Sequence, residues 1–460
     1  MGEDRSTLRP SGIASSGSTS EAAPLPGLMR VFCGDQVLAQ AVPLRSEALE
    51  LGRGSTVLGA VQDPRMSRRH ARVQFDGRRF HVTDLGSQNG TFVDGAPVPS
   101  GETREAQRLI RMGDSLFVPV ADVGPLEKHG VEVVEGFVRG PALQRLLVEV
   151  ARAAKHGFSL HIHGESGTGK EGIARAFHQH GPQGSGPFVA VNCAAIPQGL
   201  AERLLFGSRR GAYSGAEDAE GYLQAAHGGT LFLDEVVELD LGVQAKLLRA
   251  LETHEVLPLG GAKPRKVDIL VCSASNRDLR ALVAAGRLRE DLYFRIGRPQ
   301  VVLPPLRQRP EEIPLLLQRA VQQLDSGLGL HVTLVDACLL RPWPGNVREL
   351  LIEARSAAQM ALMQGVQRIE ARHLSPSAGT AFGPGAPSPA APEVRAPREE
   401  PSRAKPLGTD ERARIEEALR QHGGNVAATA RALGMHRTQL RRLLERHAIS
   451  APDSGEQDED

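Results

Sequence analysis

The stretch GESGTGKE at residues 164–171 decides the fold of the middle of the chain. It follows a short alternating apolar run and precedes a helical pattern, which is the setting of a phosphate-binding loop. The glycines let backbone N–H groups turn towards an anion, and the helix N-terminus adds partial positive charge. Lys170 can then reach the β- and γ-phosphates of ATP. Glu171 stands where Ser or Thr usually assists magnesium, so we expect Mg²⁺ to depend on an acidic residue elsewhere.

A second stretch, TLFLDE at residues 230–235, supplies acidic residues at the end of an apolar strand. A buried parallel strand has this pattern, and its carboxyl end lies where ligands bind in α/β sheets. We expect Asp234 to hold Mg²⁺ and Glu235 to orient or deprotonate the attacking water. The alternating strand and helix patterns around these motifs predict a parallel, doubly wound sheet.

Length and composition indicate a globular chain of several domains. A chain of 460 residues predicts about three domains. The net charge of +1 excludes a polycation, so a nucleic-acid surface must be local. The four cysteines are far apart and form no CxxC pair, which is typical of reduced thiols rather than a disulfide framework or zinc site. Without a long apolar run, we expect a cytoplasmic protein that does not enter a membrane.

Composition shifts predict the domain boundaries. Three segments lack the apolar residues needed to fold: a disordered tail over 1–26, a Pro/Ala-rich linker over 375–409 and an acidic tail over 451–460. The ordered blocks are then 27–122, 134–374 and 410–450. The middle block divides into an α/β core over 134–305 and a helical lid over 306–374.

The first block has the short alternating strands and Asp-Gly turns of a β-sandwich. Polar loops separate the strands at residues 52–53, 67–70 and 86–91, and the motifs GR, SxxH and NG resemble the forkhead-associated (FHA) domain. The resemblance implies that Arg53, Ser67 and Arg68 bind a phosphothreonine, while Asn89 holds the peptide backbone. A guanidinium and a hydroxyl suit a doubly charged phosphate. The alternative is a sandwich that only docks on its neighbour.

The middle block contains further motifs in a fixed order: REDLYFR at 289–295, LPPLR at 303–307 and WPGNVREL at 343–350. Together with the first two motifs, they resemble the central AAA+ domain of the bacterial enhancer-binding proteins, which activate sigma-54 RNA polymerase. Glu171 is usual in that family. The resemblance implies that the residues contacting nucleotide are Gly164, Glu165, Ser166, Gly167, Thr168, Gly169, Lys170, Glu171 and, as sensor II, Arg348.

The same resemblance implies the roles of four further residues. Asn192 is the switch asparagine that pairs with Glu235, and Asn276 is sensor I. Arg289 and Arg295 are arginine fingers donated to the neighbouring subunit, where they stabilise charge on the γ-phosphoryl group. Such fingers require a homo-oligomer closed into a ring, and the family's ring is commonly a hexamer.

A loop between the phosphate loop and the TLFLDE stretch resembles the family's GAFTGA loop, which contacts sigma-54. Here it reads Gly211, Ala212, Tyr213, Ser214, Gly215 and Ala216. The aromatic ring and the hydroxyl of the family motif are both kept. The glycines predict a tight tip that exposes the aromatic ring, as a binding loop does. The alternative is an ordinary turn with Tyr213 packed inward.

The last block predicts a helix over 410–422, a glycine turn, a second helix over 426–433 and a basic third helix from 436. This helix-turn-helix spacing resembles the Fis-type domain that ends enhancer-binding proteins. We expect the DNA contacts to come from His436, Arg437, Thr438, Gln439, Arg441 and Arg442, the first four nearest the base edges. The alternative is a small helical dimerisation element.

The sequence therefore predicts a β-sandwich, an α/β P-loop AAA+ domain with a helical lid, and a small all-α helix-turn-helix. The predicted function is a sigma-54-dependent activator that uses ATP and Mg²⁺ to remodel the sigma-54 RNA polymerase holoenzyme. Its partners would also include upstream enhancer DNA and a phosphothreonine protein or peptide. Two alternatives are a non-hydrolysing DNA-bound phosphopeptide scaffold and an AAA+ remodeller of other proteins.

Overall fold

The structure is a computed structural model that describes residues 23–45, 48–197, 199–212, 217–381, 409–423 and 425–433. The chain divides into two compact units, residues 1–388 and 389–460. Among the described helices, none has the length and apolar character needed to cross a lipid bilayer. All four cysteines are buried and unpaired by disulfides, as the sequence predicts.

The first block is a sandwich of two antiparallel sheets, which confirms the predicted fold. One sheet has the order β2-β1-β10-β9-β6-β7, and the other has the order β3-β4-β5-β8. The strands are β1 Gly27–Cys33, β2 Gln36–Pro43, β3 Ala48–Leu51, β4 Ala71–Phe75, β5 Phe80–Asp84, β6 Thr91–Val93, β7 Ala96–Val98, β8 Thr103–Ala106, β9 Ile110–Met112 and β10 Ser115–Val120. Asp94 and Gly95 join β6 to β7 with φ angles of 50° and 81°, which a two-residue type I′ hairpin requires.

The middle block has a five-stranded parallel sheet of order β14-β15-β18-β13-β19, with helices on both faces, as predicted. Its strands are β13 Leu160–His163, β14 Phe188–Asn192, β15 Gly229–Asp234, β18 Ile269–Ser275 and β19 Gln300–Val302. Its helices are α2 Pro141–Lys155, α3 Lys170–His180, α4 Ala201–Phe206, α5 Tyr222–Ala225, α6 Leu241–Thr253, α7 Leu279–Ala284 and α8 Glu290–Ile296. Small elements complete it: α1 Gly124–His129, β11 Glu132–Val134, β12 Phe137–Arg139, β16 Glu255–Val256 and β17 Arg265–Lys266.

The lid consists of α9 Ile313–Gln322, β20 Gly329–Leu330, α10 Val332–Leu340, α11 Asn346–Met363 and β21 Arg368–Ile369. The packed lid continues past residue 374, after which composition places the linker. Gly379 N donates to Glu349 Oε1 (2.8 Å), and Trp343 N donates to Gly379 O (3.1 Å). Gly379 has φ 64° and lies against the Trp343 ring. This segment is fixed by backbone hydrogen bonds, which composition does not reveal.

The sandwich and the lid share one apolar core. Side chains of β1 and β10, including Met29 and Leu116, pack with Leu317 of α9 and Val335 of α10. The largely buried Arg111 lies at the edge of this interface, with its Nε 3.2 Å from Asp336 Oδ2. Its guanidinium also stacks over the Phe92 ring, 4.0 Å from the centroid. The sandwich therefore packs directly against the lid of the ATPase.

The described part of the second unit comprises α12 Thr409–Gln421 and α13 Val426–Ala432, joined by the predicted glycine turn. Ile415, Leu419 and Ala430 form their small core. Asn425 Oδ1 accepts a hydrogen bond from Ala428 N (3.1 Å), so Asn425 is the N-cap of α13. The third helix predicted from residue 436 lies outside the described residues.

The Arg111–Asp336 pair provides a test of the shared core. Replacing Arg111 with Met leaves the buried Asp336 carboxylate without its counter-charge, so we expect a loss of about 1–3 kcal/mol. The double variant Arg111→Met/Asp336→Leu should recover most of that loss. Trp343 is the chain's one tryptophan and is fully buried in this core, so its fluorescence during urea unfolding reports the change. A double variant as unstable as the single one would contradict the expectation.

Candidate functional site

The phosphate loop connects β13 to α3, as the sequence predicts. Gly167 and Gly169 adopt φ angles of 77° and 101°, a region that favours glycine. Lys170 is only 7% exposed. Its Nζ donates to Gly164 O (3.1 Å) and lies 3.4 Å from Glu235 Oε1. The loop therefore brings the lysine and the acidic strand end together across the predicted nucleotide site.

Asp234 and Glu235 lie at the carboxyl end of β15, beside the ends of β14 and β18. Asp234 Oδ1 is buried and has no hydrogen-bond partner among the described residues. Burial raises the pKa of the Asp234 carboxyl, and the positive charge of Lys170 opposes that rise. A buried carboxylate oxygen without a partner, on a partly exposed side chain, fits a magnesium ligand, because Mg²⁺ prefers carboxylates together with phosphate oxygens and water.

Glu235 is held in a strained backbone conformation, with φ 50°. Its Oε2 accepts a hydrogen bond from the backbone N of Asn276 (3.3 Å), so the predicted sensor I residue does lie beside it. Asn192 ends β14, and its Oδ1 accepts from Ala194 N (3.1 Å) rather than pairing with Glu235. The polar residues at the ends of β14, β15 and β18 are therefore adjacent. The Asn192 side chain, however, bonds to the backbone of the turn that follows β14.

The lid contacts the phosphate loop through the predicted sensor II residue and through two residues, Arg307 and Asn346, that the sequence motifs contain but do not single out. Arg307 Nη1 and Nη2 donate to the two Glu165 carboxylate oxygens (2.9 and 2.7 Å). Asn346 Nδ2 also donates to Glu165 Oε2 (3.1 Å). The predicted sensor II residue, Arg348, donates from Nη1 to Ser166 Oγ (3.0 Å). The Arg307 hydrogen bonds lower the pKa of the Glu165 carboxyl.

Two acidic side chains of the predicted nucleotide-binding stretch therefore have other partners. Glu165 faces the lid, and Glu171 accepts from Arg175 one helical turn further along α3 (2.6 Å). The motif's spacing reveals the loop, but it does not reveal the directions of these side chains.

The two predicted arginine fingers lie on or before α8. Arg289 forms two hydrogen bonds with Asp291 (3.0 and 2.7 Å), and Arg295 Nη2 donates to Leu251 O (2.8 Å). Arg295 lines a groove of about 440 Å³ with Phe158 and Pro299, which immediately precede β13 and β19. Arg295 is therefore at the edge where the strands start, whereas the phosphate loop follows a strand end.

The predicted sigma-54 contact loop is described only at its base. Ser208 and Ala219 exchange two backbone hydrogen bonds (2.9 Å each), and Arg210 N donates to Asp218 Oδ1 (2.8 Å). Gly211 and Ala212 follow this base. Tyr213, Ser214, Gly215 and Ala216 lie outside the described residues, so the loop's stem is closed and its tip remains a sequence-based prediction.

The four residues predicted to bind a phosphopeptide lie on three loops that contact one another. Arg53 N donates to Ser67 O (2.9 Å), and Ser67 Oγ accepts from Gln88 N (3.0 Å). Asn89 Nδ2 donates to Arg65 O (2.7 Å). The Arg53, Arg68 and Asn89 side chains are exposed. The structure therefore groups these residues on one surface of the sandwich.

Two residues behind this surface explain its shape. His70 is buried, which lowers its pKa, and its neutral ring links Ser67 N (3.0 Å) to Gly90 O (3.2 Å). A Cβ at Gly52 would lie 2.0 Å from Arg68 O, so the first loop approaches the second closely only because Gly stands there.

The predicted DNA contacts, His436, Arg437, Thr438, Gln439, Arg441 and Arg442, lie outside the described residues. The two helices before them are described, and they pack on each other through a small apolar core.

Comparison with known proteins agrees with this organisation. Family models match the sigma-54 interaction domain at 137–302, the FHA domain at 49–113, the AAA+ ATPase lid domain at 307–383 and the Fis family of bacterial regulatory proteins at 409–447.

Individual relatives resemble much of the chain. Transcriptional activator RocR of Bacillus subtilis strain 168 is 36% identical over 318 residues, covering 68% of each chain. Regulatory protein AtoC of Escherichia coli K12 is 38% identical over 320 residues, again covering 68% of each. A crystal structure of NtrX from Brucella abortus superposes with a TM-score of 0.51 and 28% identity, covering 71% of each chain.

These matches, together with a phosphate loop facing two strand-end acids under a lid, identify the class of protein. The chain belongs to the sigma-54-dependent transcriptional activators, AAA+ ATPases that in this member carry an FHA domain before the ATPase and a Fis-family helix-turn-helix after it.

Proposed function

We propose that this activator is controlled by a phosphothreonine protein that binds its FHA domain and thereby alters the ATPase. The observation that carries the proposal is the shared core of sandwich and lid. The recognition loops belong to the sandwich, and the lid contacts the phosphate loop directly. A bound phosphopeptide therefore lies on the same packed body as the part of the ATPase that contacts the nucleotide site.

A buried polar network joins the recognition loops to β1 and β10, the strands whose other face packs on the lid. Asp63, in the loop before Ser67, accepts from Asp114 N (2.8 Å) and Ser115 Oγ (2.9 Å) through Oδ2. Arg30 of β1 donates to Val61 O (2.7 Å) and to Ser115 Oγ (3.1 Å). Because β1 and β10 pack on α9 and α10, a change in this loop would reach the lid through contacting groups.

In the ATPase reaction, Lys170 and the loop N–H groups hold the β- and γ-phosphates, and Glu235 accepts a proton from the attacking water. Magnesium, when bound with ATP, would neutralise charge on the phosphates, and Asp234 is the carboxylate that would hold it. The hydrogen bond from Asn276 N and the contact with Lys170 keep the Glu235 carboxylate beside the phosphate loop.

The ring is supported by the position of Arg295. β13 has four residues, so its first and last residues are separated by roughly 10 Å at ~3.3 Å per residue. An arginine at the starting edge lies too far from the phosphates of its own loop, so a contact of Arg295 with phosphate would be made in a neighbouring copy. Phe294 and Phe158, exposed by 67% and 54%, flank the same groove. We propose that the neighbouring subunit covers them in a closed ring, six-membered by family resemblance.

In this scheme the GAYSGA loop transmits the result of hydrolysis to sigma-54, and the C-terminal helices hold the ring at upstream DNA. The loop's base is bonded to Leu259 through Arg209 N (2.9 Å), next to the end of α6 and the β16–β17 hairpin. This attachment connects the loop to the core that carries Glu235.

The variant Glu235→Gln tests hydrolysis. It removes the proton acceptor while keeping the side chain's size, so steady-state ATPase should fall by ~10²-fold or more with nucleotide binding retained. Glu252→Gln, at an exposed position of α6, is the control and should keep parental turnover. A parent chain without ATPase at high concentration would instead support the scaffold alternative.

The variant Arg53→Ala tests phosphopeptide input. Loss of one charge-assisted contact to phosphate should weaken phosphothreonine-peptide binding by about tenfold or more, measured by fluorescence anisotropy. Arg78→Ala, an exposed arginine on the β4–β5 turn, should bind peptide normally. Peptide should change the ATPase rate of the parent and of Arg78→Ala, but at the same concentration have much less effect on Arg53→Ala. Undiminished peptide affinity in Arg53→Ala would refute the proposed input.

The variant Arg437→Ala tests DNA recognition. If Arg437 contacts a base edge, binding to the chain's own upstream site should weaken by ~1–3 kcal/mol, with relaxed specificity at one base pair. Arg420→Ala, an exposed residue of α12 paired with Glu417 (3.0 Å), serves as the control. Quantitative footprinting measures both, and an unchanged footprint for Arg437→Ala would assign base recognition to another residue.

A further inference from the structure

The outer side of the phosphate loop is held by three successive hydrogen bonds. Ser166 O accepts from Asn346 Nδ2 (3.0 Å), Gly167 O accepts from Arg348 N (3.3 Å), and Thr168 O accepts from Arg309 Nη2 (3.1 Å). All three donors belong to the lid or to the turn that enters it. The loop's carbonyl groups are thus paired one after another with a separate part of the ATPase.

This pairing determines the direction of the loop's N–H groups. A peptide unit is planar and trans, so a carbonyl and the N–H of the next residue point in opposite directions. With the Ser166 and Thr168 carbonyls turned to the lid, the N–H groups of Gly167 and Gly169 turn to the opposite side. Converging N–H groups are what binds phosphate in such a loop. The lid therefore orients the phosphate-binding groups without itself contacting phosphate through these bonds.

Of the three donor residues, Asn346 connects the most groups between the lid and the phosphate loop. Its side chain is fully buried, and its Oδ1 accepts from Leu306 N (2.8 Å) at the base of the lid. Its Nδ2 reaches Glu165 Oε2 as well as Ser166 O. One carboxamide thus connects the lid base, the loop backbone and the Glu165 carboxylate, which Arg307 keeps charged.

The backbone of Asn346 indicates that this placement is costly. Asn346 begins α11 with φ 52°, a left-handed conformation that glycine adopts readily and asparagine tolerates among other residues. A helix start does not require this side chain, because the N–H groups there need only a cap or solvent. The carboxamide's contacts supply a reason for Asn at this position.

We propose that Asn346 is a positioning residue for the ATPase: it holds the phosphate loop in the form that binds the nucleotide's phosphates. Its effect is directed at the phosphates and not at the nucleoside, because the groups it orients are the loop N–H groups. Asn346 also makes phosphate affinity depend on lid position, since moving the lid would release the Ser166 carbonyl.

Two variants separate this role from a purely structural one. Asn346→Gly removes the carboxamide but keeps a residue that adopts positive φ easily. Asn346→Asp keeps an acceptor for Leu306 N, loses the donor to Ser166 O and adds a negative charge beside Glu165. Gln359→Ala, at an exposed position of α11, is the matched control on the same helix.

The experiment uses the full chain and measures the affinity for a fluorescent ADP, with ADP and adenosine as competitors. We expect ADP affinity to fall about tenfold in Asn346→Gly, equivalent to one or two lost hydrogen bonds, and further in Asn346→Asp. Adenosine affinity should stay within about twofold of the parent, and Gln359→Ala should match the parent for both ligands.

Trp343 fluorescence during urea unfolding without nucleotide provides the second measurement. A midpoint close to the parent's, together with the ADP-selective loss, supports the positioning role. Unchanged ADP affinity in Asn346→Gly would overturn the proposal, and so would an equal loss of ADP and adenosine affinity. Because the readout is binding, it is independent of hydrolysis and of phosphopeptide control, whose failure Glu235→Gln and Arg53→Ala would reveal separately.

Discussion

The ATPase depends on hydrogen bonds made by a loop that has almost no side chains with which to pack. Glycines give the phosphate loop its left-handed turns, and they also deprive it of apolar contacts that would fix its shape. Strand β13 and helix α3 hold its ends, and the lid holds its middle through the carbonyls of residues 166–168. The nucleotide site is therefore completed only when core and lid are together.

The same lid packs against the FHA domain, so a packed connection runs from the FHA domain through the lid to the phosphate loop. α9 packs against α10 and α11, and α9 and α10 both contact the sandwich, so their apolar side chains belong to a single cluster. The buried Arg309–Glu312 pair (2.8 Å) adds a second connection, because Glu312 Oε1 also accepts from Gly140 N (2.8 Å) at the start of α2. Burying such a pair costs desolvation energy that these extra hydrogen bonds offset.

Sequence reasoning predicts the groups that short-range rules bring together. Lys170 follows a strand after one short loop, and Asp234 ends another strand of the same predicted sheet. Parallel strand ends meet at one edge of a sheet, so the proximity of the two residues follows from pattern alone. The turn at Asp94 and Gly95 is likewise encoded locally. The Asn346 contact is not, because its partners Glu165 and Ser166 are distant in sequence and meet only when the lid folds back.

The sequence patterns also do not identify the lid as the surface on which the sandwich packs, although β1 contains a clue. Its residues, GLMRVFC, are buried along the whole strand, whereas a strand with one solvated face alternates. The side chain of Arg30 interrupts the apolar run and satisfies an internal network. A strand of a small sandwich that does not alternate between buried and exposed residues indicates that both of its faces are covered. The pattern does not identify the element that covers the second face.

The covered face of β1 has a consequence for how such proteins diversify. Modular regulators are often pictured as input cassettes joined to a common motor by permissive linkers, so that recombination at the junction exchanges one stimulus for another. In this chain, a crossover at residue 134 would strip the apolar sides of α9 and α10 and expose Leu317 and Val335 to water. The FHA domain and the lid should therefore be exchanged together in recombination. The lid residues that face the sandwich should co-evolve with the FHA domain rather than with the catalytic core.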